Sequence, residues 1–105
     1  MDSLHLSVFS KNMVALTSDL DLPQIFDHLI QADLLTFHEY EAIKNKLTTR
    51  ERNEDLVMLL TRKGNQALDS FVDILKETHR HLFELLLKDM KQKGLKTIHF
   101  EGEQF

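Results

Sequence analysis

Six histidines and a run of carboxylates are the residues of this 105-residue chain best suited to chemistry. A metal ion needs its ligands at one point, which on a helix means spacings of three or four. His79 and His81 are two apart, so on a helix they point about 200° apart and cannot clasp one ion. His5, His28, His38 and His99 fall in different segments. Asp27-His28 has the composition of an acid–base pair, but helical neighbours do not face each other. There is no Cys, which removes thiol chemistry, disulfides and Cys zinc sites. Neither a Gly-x-Ser-x-Gly elbow nor a Gly-rich phosphate loop is present. Paired carboxylates for hydrolysis need a cleft, and a small bundle packed with Leu and Phe offers none. The expectation is therefore a non-enzyme with no catalytic residue, no metal, no cofactor and no small-molecule substrate.

Charge is the stronger signal. The net charge is −4, and residues 1–48 hold all of it, with Lys11, Lys44 and Lys46 against seven acids. From Asp19 to Glu41 there are six acids and no Lys or Arg. A duplex nucleic-acid binder needs the opposite sign, so no nucleic acid is expected. The acidic stretch reads either as a solvated surface or as a face for a basic partner. Lys91, Lys93 and Lys96 are the one candidate for a basic membrane face, and they more simply complement a helix dipole at its C-terminal end. No apolar run approaches the roughly 18 residues of a membrane span. Met1-Asp2-Ser3-Leu4-His5 lacks the basic region of a signal peptide. No membrane contact and a cytoplasmic location are the expectation.

The elements that must position these charges are helical. Three Gly and one Pro are too few for a β domain with many tight turns. Leu6, Phe9, Met13, Leu16 and Leu20 step by three and four, which predicts one amphipathic helix of about four turns. Asp21, Pro23 and Gln24 start a second, with Ile25, Phe26, Leu29 and Ile30 as its buried stripe. Thr36 with Glu39 and Thr48 with Glu51 have capping-box spacing and open a third and a fourth helix. Tyr40 and Ile43 follow in the third; Leu56, Leu59 and Leu60 carry the fourth to a stop at Gly64. Asn65 is the next N-cap candidate, ahead of a wide stripe of Ala67, Leu68, Phe71, Val72 and Leu75. Thr78 can cap a last helix, apolar on more than one face through Leu82, Phe83, Leu85, Leu86, Leu87 and Met90, and ended by Gly94. Six helices on short connections predict an all-α antiparallel bundle filling residues 1–92, with 93–105 as a linker or tail. A single domain with no internal repeat fits this length.

One ordered set of residues goes further. Thr61-Arg62-Lys63-Gly64-Asn65-Gln66-Ala67-Leu68-Asp69-Ser70-Phe71, then Leu75, Glu77-Thr78 and Leu82, resembles the pattern of the caspase-recruitment domain (CARD). Upstream, Lys11-Asn12 with Leu16, Ile25-Phe26-Asp27-His28-Leu29, Leu34-Leu35-Thr36 and Tyr40-Glu41-Ala42-Ile43 fall where that family has its first three helices. The similarity covers about residues 4–92 and is closest in flavour to initiator-caspase prodomains and their adaptors. It implies the death fold, a six-helix Greek-key bundle with a bent first helix. It also implies a core that includes Phe26, Leu29, Leu59, Gly64, Ala67, Phe71, Leu75 and Leu86. The implied partner is another CARD-containing protein, a caspase or adaptor, in apoptosis or innate immunity. Recruitment would pair an acidic face on the second and third helices with a basic face on the first and fourth. Asp27, Asp33, Glu39 and Glu41 match the acidic side; Lys11, Arg50 and Arg52 match the basic side in part. Met13 and Glu54 stand where some caspase prodomains have basic residues. If both faces work the contact is heterologous, and a homo-oligomer or open assembly becomes possible. The alternatives are a free-standing regulator that caps or blocks a partner's assembly, or a module of another death-fold subfamily. The death-effector type carries Arg-x-Asp-Leu, and Arg52-Asn53-Glu54-Asp55-Leu56 has one residue too many.

Overall fold

Seven helices run through residues 1–96, the part of the chain that the computed structural model describes. They are α1 Ser3–Lys11, α2 Met13–Asp19, α3 Leu22–Gln31, α4 Phe37–Lys44, α5 Thr49–Thr61, α6 Gln66–Thr78 and α7 Arg80–Gln92. Among the described residues there is no strand. His99 and most of the expected tail lie outside the described residues.

The first predicted helix is two, broken at Asn12. The Asn12 N–H bonds to the Phe9 carbonyl at 3.2 Å instead of reaching back a full turn. That leaves the Val8 carbonyl, which the Asn12 Nδ2 takes at 2.8 Å. A short amide side chain that replaces a backbone donor is a common reason for a helix to bend. The bend shifts the phase of the stripe: Val8, Phe9 and Leu16 are buried, whereas Leu6 is exposed and Met13 half-buried.

The closest pairings are α6 with α7, α2 with α5, α3 with α6 and α1 with α7. Three of these four join helices distant in sequence. Successive helices are therefore not simply the antiparallel neighbours that short loops predict, and the order is that of the interleaved death fold. At the centre the Phe9 and Phe71 rings lie 5.9 Å apart, with Leu29, Leu56, Leu60, Leu75, Leu82 and Leu86 fully buried around them. Ala67 is buried as well.

Other expected core positions differ. Phe26 and Leu59 are half-buried against the core. Gly64 is exposed, and nothing lies within 4 Å of where its Cβ would stand. Helix α5 stops earlier, at Thr61 with Arg62 as its cap. Leu85 faces outward at 40% exposure, because the inner side of α7 is completed by Asp89 and Met90.

Both capping boxes are present, Thr36 with Glu39 and Thr48 with Glu51. The other expected caps do not bond as the spacing suggests. Asp21 and Asn65 occupy N-cap positions without a side-chain cap bond. Asn65 instead meets Asp2, accepting from its N–H at 2.9 Å and donating to its Oδ2 at 3.1 Å. Thr78 is the last residue of α6, and His79 takes the N-cap of α7. Gly94 does end α7, with φ 71°, and the Leu95 N–H bonds to the Met90 carbonyl at 3.0 Å in a Schellman closure.

Candidate partner-binding surface

Helix α3 buries Leu22, Ile25 and Leu29 and turns Gln24, Asp27, His28 and Gln31 to solvent. Asp27 is thus on the outer face by helical phase alone. The helix closes with Asp33 at φ 59°, its N–H on the Ile30 carbonyl at 3.1 Å and the Leu34 N–H on the Leu29 carbonyl at 2.9 Å. Buried Leu34 anchors this turn. An L-residue in this left-handed conformation is strained, and Asp bears it better than most. Its carboxylate is held out at the end of the same helix. Among the described residues nothing pairs with Asp27 or Asp33.

Helix α4 meets α3 through aromatic rings. Phe26 lies 4.0 Å from Tyr40 and 6.4 Å from Phe37, ring centroid to ring centroid. Phe37 remains 68% exposed, an apolar knob among polar and charged side chains. Glu41 pairs with Lys44 at 3.0 Å, and the Lys44 ammonium also sits 6.0 Å from the Tyr40 ring. Glu39 belongs elsewhere: two residues before Glu41, it faces nearly the opposite way. It is half-buried, accepts the Thr36 N–H at 2.9 Å and pairs with Lys63 at 3.6 Å. The Thr36 N–H holds its carboxyl below the usual carboxylate value; burial opposes this and Lys63 adds to it. Of the four expected acids, then, Asp27, Asp33 and Glu41 lie on α3, its closing turn and α4, while Glu39 serves the helix start and the α5 end.

Two of the three expected bases are engaged within the molecule. Arg50 pairs with Glu54 at 3.6 Å one turn along α5. Arg52 donates from Nη1 to the Lys46 carbonyl at 2.8 Å, tying down the α4–α5 link. Lys46 in turn pairs with Asp55 at 3.7 Å. Lys11 alone of the three has no partner among the described residues, and it borders a shallow groove with Leu85, Lys88 and Gln92. Between α1, α2 and α5 lies a mainly apolar groove of about 240 Å³, lined by Leu6, Phe9, Met13, Val57 and Met58. Sequence reasoning missed this groove and the Phe37 knob. The available signal was Met58, an apolar residue out of phase with the Leu56, Val57 and Leu60 stripe.

Among the described residues no three His, Cys, Asp or Glu side chains are grouped to hold a metal ion. His79 and His81 have separate partners: His81 Nε2 meets Asp19 Oδ2 at 2.9 Å, and His79 Nε2 accepts the Asp21 N–H at 3.1 Å. No described helix is long and apolar enough to cross a membrane.

An interleaved helical bundle with a bent first helix defines the death-fold class of interaction domain. The family model for the caspase recruitment domain matches residues 6–89, and the chain belongs to that family. It is 33% identical to chicken caspase-2 (Gallus gallus) over 89 residues, 84% of this chain and 21% of that protein. It is 30% identical to human apoptotic protease-activating factor 1 over 87 residues, 82% of this chain and 7% of that protein. Cell death protein 3 of Caenorhabditis remanei is 25% identical over 84 residues, 80% of this chain and 16% of that protein. The chain thus spans no more than about a fifth of the length of these relatives.

Proposed function

We propose that this domain recruits a second caspase recruitment domain in apoptotic signalling, presenting Asp27, Asp33 and Glu41 with the Phe37 knob to a basic partner. The observation that carries this reading is the pair of unpartnered carboxylates, Asp27 and Asp33, on one helix and its closing turn. Exposed acids without a structural partner add little to folding, which leaves them available for recognition. The domain itself catalyses nothing in this reading, and recruitment takes place in the cytoplasm. Two relatives, a caspase and a protease-activating factor, give the partner its class: one of these, or an adaptor of the same family.

The test is Asp27→Lys with Glu41→Lys, followed by thermal melting and by binding to a basic-faced caspase recruitment domain. Stability should change by no more than about 1 kcal/mol, while like-charge contact costs several kcal/mol of binding. A folded double variant with unchanged affinity at physiological salt refutes the acidic surface. Loss of binding only in Lys11→Glu with Arg50→Glu reverses the polarity.

A second reading is favoured by the engagement of Arg50 and Arg52 within the fold. With Arg50 on Glu54 and Arg52 on the Lys46 carbonyl, the domain has one strong face. A one-sided unit joins an assembly and ends it rather than extending it.

A further inference from the structure

Asp21 is the N-cap of α3, and its carbonyl opens the helix by accepting from Gln24 at 3.1 Å and Ile25 at 3.3 Å. The N–H of the same residue is held from across the molecule by the His79 ring at 3.1 Å. His79 lies at the α6–α7 corner, so one hydrogen bond clasps the start of the acidic helix to the opposite end of the chain. The protonation state of that ring follows from its neighbours. Thr78 Oγ1 donates to the Ile74 carbonyl at 2.9 Å, which leaves its lone pairs to accept from His79 Nδ1 at 3.0 Å. With the proton on Nδ1, Nε2 is bare and takes the Asp21 N–H. A second proton on Nε2 would set one N–H against another and break the clasp.

We propose that His79 is a pH-sensitive latch on α3: its neutral ring holds the partner-binding helix in place, and protonation releases it. The proposal rests on the reading of α3 as the binding helix. The groups that face His79 are few. Burial is the main force disfavouring its charged form; the Asp21 and Asp19 carboxylates favour that form, and His81 opposes it. Arg80, next in the chain, is turned to Glu84 at 3.7 Å and to the Phe83 ring at 5.0 Å. The balance leaves the ring below its ordinary value near 6.5. The unfolded chain therefore takes up the proton first as the pH falls. The latch contributes in full above about pH 6.5 and is lost progressively from there down through the depressed folded value.

The experiment follows the ring and amide nitrogens by NMR in the ¹⁵N-labelled chain from about pH 7.5 to about pH 5.5. Unmodified, His79 should carry its proton on Nδ1 at the upper end and titrate below its ordinary value. The Asp21 amide, followed by the first turn of α3, should lose hydrogen-exchange protection about fivefold or more with the same midpoint. His79→Gln, which keeps an acceptor and a donor but does not titrate, should flatten that transition. His81→Gln should retain it. An Nε2–H tautomer at neutral pH overturns the proposal even if no variant folds. So does an Asp21 amide that ignores the His79 midpoint, or a transition that survives in His79→Gln. Coupling to binding is read separately, as a partner affinity that falls on acidification in the unmodified chain and holds in His79→Gln. Equal pH dependence in both removes the coupling. Failure of the acidic surface shows up instead as Asp27→Lys binding normally at neutral pH, with the tautomer and amide results intact.

Discussion

Asn53 shows what a single side chain contributes here. It is fully buried on α5, and its Nδ2 donates to the Thr17 carbonyl at 2.9 Å and the Leu20 carbonyl at 3.0 Å. Those carbonyls close α2, where the chain turns toward α3. A helix end inside a protein needs donors for its last carbonyls, and one amide from another helix supplies two of them. Asn53→Ala should cost about 2–4 kcal/mol by urea unfolding, since both carbonyls lose a donor that water cannot easily replace. Asn53→Asp should cost at least as much, because it sets carboxylate oxygens against carbonyl oxygens. An Asn53→Ala loss under about 0.5 kcal/mol would show that the amide only fills space. None of this is evident in Arg50-Glu51-Arg52-Asn53-Glu54-Asp55, which reads as a solvated charged stretch. A reader following the helical period back from Leu56, Val57 and Leu60 arrives at Asn53 one turn earlier on the same face.

At the level of elements, local chemistry was legible and long-range chemistry was not. The Thr36–Glu39 and Thr48–Glu51 boxes need only three residues of chain, so their spacing is enough. The same logic fails at Asp21, Asn65 and Thr78, because the partners of those ends lie about 60 residues away or in the neighbouring turn. The break at Asn12 hides for a related reason: an apolar stripe keeps its spacing through a bend. Glycine proved a poor guide to helix ends. Gly94 has the left-handed backbone that favours it, while Gly64 does not and has open space around it. The residue that does occupy glycine's conformation is Asp33. Asp33→Gly should therefore raise stability by about 1 kcal/mol, and Gly64→Ala should be neutral or mildly stabilising. Gly94→Ala should lose about 1 kcal/mol, all three being read from denaturant midpoints. A destabilised Asp33→Gly would mean that its carboxylate bonds within the fold.

Over the whole molecule, the fold class and the acidic region from Asp19 to Glu41 could be read from composition and order. The division of labour within that region could not. Glu39 and Glu41 look equivalent in the sequence, yet one is tied to Lys63 and a capping box and the other pairs loosely on the surface. Arg50 and Arg52 look free in the sequence as well, yet Arg50 pairs with Glu54 and Arg52 holds the Lys46 carbonyl. Glu54 is the acid that pairs with Arg50. Glu54→Arg should free Arg50, add a positive charge on α5 and, on the one-sided reading proposed above, give the unit a second face. Light scattering should then show growth with concentration that salt suppresses, where the unmodified chain stays small. A Glu54→Arg chain that remains monomeric at high concentration and low salt would show that charge is not what limits the reverse face.

On the proposed reading, the bare carboxylates of Asp27 and Asp33 act as the molecule's compass. In the field of a basic partner the domain rotates before it touches, so the Asp27–Asp33 side arrives first. In contact through that surface, the Phe37 knob would have to be pulled out of an apolar neighbour for the pair to part, and ions in solution have little influence on such a step. The two halves of the affinity should therefore respond differently to ionic strength. In stopped-flow mixing, adding salt should slow association about tenfold or more while leaving dissociation nearly constant. Phe37→Ala should do the reverse, with complexes that form as fast as before and fall apart sooner.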